Sequence, residues 1–164
     1  MAAPNNTQLF NFSEIFENAA LGVLESAGVE AFANYSPDKM PLNRAAVSFT
    51  AGAADPTPQL VNGKFEYLIY RGCVLEIEVT WDRTDNQSTT DTLREISETA
   101  AVIRNAFRYS RWPLNQTNLK WYHVARIVPS GESRGLDQQR MCDVLTIRYS
   151  IDFEILRDAW PVET

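Results

Sequence analysis

The sequence predicts an α+β fold: one domain over residues 1–164, with a mainly antiparallel sheet and two helices packed on one of its faces. Three observations carry that expectation. Residues 144–155 alternate in period two, with Leu145, Ile147, Tyr149, Ile151, Phe153 and Ile155 on one side and Thr146, Arg148, Ser150, Asp152 and Glu154 on the other. That is a strand with one buried face and one open to water or a neighbouring subunit. Residues 65–81 alternate in the same way, Leu75, Ile77, Val79 and Trp81 against Glu76, Glu78 and Thr80. Two other stretches carry apolar residues three and four apart, which is helical spacing.

In chain order, the first helix is expected over residues 12–27, where Phe12, Ile15, Phe16, Ala19, Val23 and Leu24 form one stripe. Asn11 and Glu14 are placed as a capping pair and Gly28 as the stop. Short strands follow over 29–35 and 45–50, separated by the turn formers Ser36, Pro37, Asp38 and Pro41. Residues 51–64 are dense in Gly, Pro, Asn and Asp and read as a surface loop. The strand over 65–81 is central in the sheet, and Gly72 marks a bend or bulge in it. Ser88 with Asp91 opens a second helix whose stripe is Leu93, Ile96, Ala100, Ile103 and Phe107. Arg104 and Arg108 sit in its last turn, where the negative end of the helix dipole favours cations, and Trp112 with Pro113 ends the element. Residues 119–128 and 142–156 then form a terminal hairpin with a long tip over 129–139.

Composition bounds the function. At 164 residues and 45% hydrophobic content the chain can bury one sizeable core. Fifteen Lys and Arg against 21 Asp and Glu give a net charge of -6, which argues against a surface that grips nucleic acid throughout and leaves room only for a local basic patch. Cys73 and Cys142 lie in apolar strand-like runs and are expected as free buried thiols, as in a reducing compartment. Neither a leader peptide nor a run of the ~20 apolar residues that span a bilayer is expected.

Several patterns could carry chemistry. Gly131, Ser133 and Gly135 match G-x-S-x-G, but a strand rather than a helix follows, and the one histidine, His123, precedes the serine instead of following it. A hairpin tip accounts for the same residues. With a single histidine, a zinc site would need cysteines and carboxylates gathered from distant positions, so no metal is expected. Glu76, Glu78, Asp152 and Glu154 project from strand faces and could in principle support acid/base chemistry, though alternating charge on an open face serves solubility alone. No phosphate-cradling glycine loop or dinucleotide fingerprint occurs, and neither cofactor nor catalysis is expected. Arg104, Arg108, Tyr109, Arg111 and Trp112, with Lys120, Trp121 and Tyr122, have the ingredients of a stacking surface for single-stranded nucleic acid, and equally of a protein interface.

The opening amphipathic helix, the long strand through Tyr70, Gly72, Leu75, Ile77 and Val79 into Asp82 and Arg83, the helix after it, and the closing strand before Ala159, Trp160 and Pro161 together resemble the tail-terminator, or tail-completion, proteins of long-tailed bacteriophages. The resemblance spans most of the chain as an order of elements. It implies a homohexameric ring in the virion, assembled in the host cytoplasm, that caps the tail tube, ends its polymerisation and joins it to the head connector. It implies neither enzyme activity nor a cofactor nor a membrane. Glu76, Glu78, Asp152 and Glu154 would line an acidic lumen through which genomic DNA passes without specific binding. Arg134, Arg140 and Trp160 would lie at subunit interfaces, and the loops 51–64 and 129–140 would meet the tube or the connector. A head-completion or connector adaptor is the neighbouring alternative within this class, and a single-stranded nucleic-acid-binding module the alternative outside it.

Overall fold

The computed structural model describes residues 11–33, 45–54, 60–61, 64–65, 68–82, 89–108, 122–139 and 141–155. The first helix, α1, runs Phe12–Ser26. At its start the Asn11 amide donates to Glu14 Oε2 at 2.7 Å, so the two side chains satisfy each other rather than the orphan backbone N–H groups. Its end follows from Gly28, whose φ of +82° suits a left-handed stop. The Val29 N–H donates to the Leu24 carbonyl at 2.9 Å and the Gly28 N–H to that of Glu25 at 3.0 Å, the paired bonds of a Schellman motif.

The described strands are β1 Ala31–Ala33, β2 Ala45–Thr50, β3 Ala53–Ala54, β4 Leu60–Val61, β5 Lys64–Phe65, β6 Leu68–Asp82, and, after helix α2 over Thr89–Ala106, β7 Tyr122–Asp137 and β8 Cys142–Ile155; β1, β2, β6, β7 and β8 follow the expected order, while β3 and β4 lie in the segment expected as loop. The main sheet has the order β1-β2-β6-β8-β7, with β3 paired to β6; β4 and β5 form a separate two-stranded ladder inside the segment expected as loop. β6 is therefore the middle strand. All pairings in the main sheet are antiparallel except β1 with β2. The expected bulge is present: the β6–β8 register slips between Tyr70 and Cys73, and Gly72 sits there at φ +65°. Asp152 on β8 accepts the Gly72 N–H at 2.8 Å.

Both helices cover the same face. Ala45, Val47 and Phe49 of β2, Cys73, Leu75, Ile77 and Val79 of β6, and Leu145, Ile147, Tyr149, Ile151 and Phe153 of β8 all point into one core with Phe16, Ala19, Ala20, Val23 and Leu24 of α1 and Ile96, Ala100 and Ile103 of α2. Phe16 is stacked on Phe49 with ring centroids 4.6 Å apart and tilted on Phe153 at 4.8 Å. Tyr70 also stacks on Phe153, at 5.3 Å. Phe107, just past α2, stacks on Tyr149 at 5.4 Å. Leu93, expected in the α2 stripe, is 54% exposed. At the helical step it lies about 50° off the centre line of Ile96, Ala100, Ile103 and Phe107. Both cysteines are buried, and neither is in a disulfide.

α1 also closes a sheet edge. Among the described residues β1 pairs Ala45, Ala46 and Val47 of β2, and none of them pairs with the rest of that edge. There Glu17 Oε1 accepts the Phe49 N–H at 2.9 Å, and the Ser13 hydroxyl donates to the Phe49 carbonyl at 3.2 Å. Two helical side chains thus satisfy the Phe49 backbone groups at this edge. The arrangement buries the Glu17 carboxylate and leaves its Oε2 unpartnered. Burial pushes the Glu17 pKa up, and the Phe49 N–H only partly offsets this. The raised folded value means that Glu17 favours folding most below the ordinary glutamate range of about 4.3, and that this contribution is lost as pH rises through the folded pKa. Glu17→Gln keeps an acceptor for Phe49 and removes the charge, so its stability relative to wild type should climb from acid to neutral pH. Urea midpoints across that range check this; parallel curves for the two proteins would refute it.

Candidate functional site

The sheet presents two features that no described helix covers: the face opposite the core and the outer edge of β7. Glu76 and Glu78 of β6 and Asp152 and Glu154 of β8 alternate with buried neighbours, so the strand period turns all four to that open face. The structure brings them onto adjacent strands, which the sequence did not show. Glu76 lies directly opposite Arg148, whose Nε donates to Glu76 Oε2 at 2.8 Å. Asp152 lies opposite Arg126 of β7 in the register and holds the Gly72 N–H of the bulge. The face is a mixed ladder with an acidic excess, not an uninterrupted acidic patch. Arg148→Glu would set like charges opposite each other and should cost about 1 kcal/mol, with Glu76→Arg in the same chain restoring the loss. Urea titration of the two single variants and the double variant reads that coupling directly.

β7 differs most from the expectation. The sequence places the tip over 129–139, but β7 continues to Asp137, and the described turn residues are Gln138, Gln139 and Met141. Pro129 and Gly131 suggest a loop because they are poor strand formers. On an edge strand a proline can direct its missing donor toward solvent, and here a register slip between Pro129 and Gly131 absorbs the irregularity. The turn itself uses Asp137, whose carboxylate accepts the Gln139 N–H at 3.0 Å, and Met141, whose φ is +50°. Gly131, Ser133 and Gly135 therefore lie within an extended strand, which lacks the strand–turn–helix geometry that exposes a nucleophile.

Because β7 extends so far, its Glu132 and Arg134 reach α2. Arg104 donates to Glu132 from Nε at 3.1 Å and from Nη2 at 2.6 Å, a forked pair. Arg134 donates to Ser97 of α2 at 3.2 Å and to Glu132 at 3.3 Å. Arg104 holds the Glu132 carboxyl below the usual carboxylate range, and Glu132 in turn raises the Arg104 pKa. Beneath them Tyr149 is buried, and its phenol is pushed up to about 12, chiefly by desolvation. The dipole argument for Arg104 is thus incomplete: its partner is a carboxylate on a segment that reads as loop. Arg134, expected at an interface, stands on the helix side of β7 with its side chain 41% exposed. Arg140 and Trp160, like Tyr109, Arg111, Trp112, Lys120 and Trp121, lie outside the described residues.

A polar cavity of about 420 Å³ opens where the α1–β1 turn meets the end of β6 and the first half of α2, with Glu30, Trp81, Asp82, Thr92, Glu95 and Thr99 in its wall. Among the described residues no group of three or more His, Cys, Asp or Glu side chains is arranged to hold a metal ion. Among them, too, no helix is long and apolar enough to cross a membrane. The fold and the site define an α+β protein whose sheet is helix-covered on one face and bears charged residues on the other. No protein-family model matches the chain, and no curated protein matches it.

Proposed function

We propose that the chain is a structural protein of a bacteriophage neck or tail, a tail terminator that forms a six-fold ring, caps the tail tube, ends its polymerisation and joins it to the head connector. The observation that carries this reading is the two-sidedness of the sheet. Its long strands β6, β8 and β7 are helix-covered on one face, and Glu76, Glu78, Asp152 and Glu154 stand on adjacent strands of the other. Such a sheet can wall a channel with its open face while the helices remain outside. An acidic excess on that wall keeps passing DNA from sticking, and Arg148 beside Glu76 moderates the charge without reversing it. A closed ring requires two different patches of one subunit to meet, so its contacts are heterologous. Tail tube and connector are the partners of its two rims, and the role needs no reaction and no cofactor.

Electron microscopy of the purified protein in negative stain, classified without imposed symmetry and in the presence and absence of tail tubes, tests this. Six-fold rings with a central hole, seated at tube ends, are the expected result. Tubes whose ends stay bare and whose lengths are unchanged by the protein would sink it. A monomer that binds single strands with steep salt dependence would support the nucleic-acid reading instead. That reading has lost some ground, since Arg104 is engaged with Glu132.

A further inference from the structure

We infer that the outer edge of β7 is a self-association site, at which two copies of the chain pair antiparallel through Gly131, Glu132, Ser133, Arg134 and Gly135 about a two-fold axis at Ser133. The inference goes beyond the tail reading and stands whether or not that reading does. It starts from the asymmetry of the sheet. On one side β1, and beyond it Ser13 and Glu17 of α1, occupy the edge of β2. On the other side β7 has β8 as its neighbour in the sheet order and no strand beyond it among the described residues. A bare edge of this length is a template for another strand unless something disrupts it.

Two disruptions are present, and they define the usable part. The β7 register slips between Val124 and Arg126 and again between Pro129 and Gly131. From Gly131 to Asp137 the ladder runs without a slip, and Gly131 through Leu136 are exposed. An antiparallel two-fold pairing that keeps the helices of both copies on one side must place a residue opposite itself. Centring on Arg134 opposes two arginines and sets Glu132 against Leu136. Centring on Gly135 sets Arg134 against Leu136. Centring on Ser133 places Glu132 of each copy opposite Arg134 of the other, twice, with Gly131 opposite Gly135 and Ser133 opposite its counterpart. This register alone is charge-complementary. It is also sterically open, because a Cβ placed on Gly131 or Gly135 meets nothing within 4 Å. Arg104 already holds Glu132 in position, so the carboxylate is presented to the second copy in a fixed place. The contact is isologous and distinct from the heterologous one a ring requires; in a phage particle it would join subunits or rings off the tail rather than neighbours within one ring.

Cysteine cross-linking tests the register. Residues opposite each other in an antiparallel pair are close enough for a disulfide, whereas a residue three positions from the axis is far from its counterpart. The native Cys73 and Cys142 are buried, so they give little background. Under mild oxidation Ser133→Cys should give a disulfide-linked dimer on a non-reducing gel, and Ser130→Cys should give little. In parallel, sedimentation of the wild type across a concentration series should show a monomer–dimer equilibrium, and Arg134→Glu, which opposes two carboxylates, should shift it toward monomer, with circular dichroism confirming the fold. A wild type monomeric throughout, cross-linking at Ser130 as ready as at Ser133, or an Arg134→Glu dimer fraction equal to wild type would each overturn the proposal.

Discussion

Phe16→Ala is expected to lower stability by about 3–5 kcal/mol, the range for emptying a fully buried aromatic site. Phe16 is completely buried and is the point at which α1 meets the sheet, stacked on Phe49 of β2 and tilted on Phe153 of β8. Phe153 is also stacked by Tyr70 of β6, so one ring links three strands and a helix. Removing the Phe16 ring opens a void lined by Phe49 and Phe153. The same docking positions Ser13 and Glu17 over Phe49, and loosening α1 should expose the β2 edge. A urea titration should therefore show a markedly lower midpoint, and amide exchange should show the Phe49 N–H losing protection before the amides of β8. A midpoint within a few tenths of a kilocalorie of wild type, or Phe49 protected as before, would show that α1 is held elsewhere.

Phe16 was legible in the sequence; Glu17 was not. Helical spacing marks Phe16, Ala19, Val23 and Leu24 as one stripe, because burial of a helix face leaves a period that any reader of the sequence can find. Glu17 interrupts that stripe, and nothing local shows that its carboxylate reaches the Phe49 N–H at the β2 edge. The strand period likewise revealed the open face, with Glu76, Glu78, Asp152 and Glu154 upon it, since side-chain alternation is a local property. Which charges meet across strands depends on register, and register is set by the bulge at Gly72 and the slips in β7. Hence Arg148 opposite Glu76 was not foreseen.

Turn composition misled where tertiary position overrode propensity. Pro129, Gly131 and Gly135 are common turn residues, and only the presence of β8 alongside shows that they sit on an edge, where a strand tolerates them. A loop over 129–139 gives Glu132 no address and leaves only the helix dipole to explain Arg104. It also hides the outer edge of β7, because an edge exists only where there is a strand. The short pairings of β3, β4 and β5 are two residues each, below what periodicity can resolve.

Gly52→Ala should be the second severe substitution, although the sequence shows Gly52 as one loop glycine among several. A Cβ on Gly52 would lie 1.9 Å from the Arg71 carbonyl oxygen and 2.9 Å from the carbonyl carbons of Arg71 and Gly72. All three are backbone atoms, so no side-chain rotation relieves the clash, and the cost should exceed the about 1–3 kcal/mol typical of overpacking. The chain must move away from β6 at this point, and three contacts depend on that approach. Gly52 donates its N–H to the Cys73 sulfur at 3.1 Å; Ala53 and Ala54 pair with Arg71 and Tyr70; and the Gly72 bulge keeps its N–H on Asp152. A methyl group at residue 52 should therefore be felt on the open face, by releasing one of its four carboxylates from the backbone, as well as in stability. The urea midpoint should fall accordingly. A Gly52→Ala protein as stable as wild type, with the Gly72 amide still protected from exchange, would mean that the 51–54 segment does not approach β6 as closely as described.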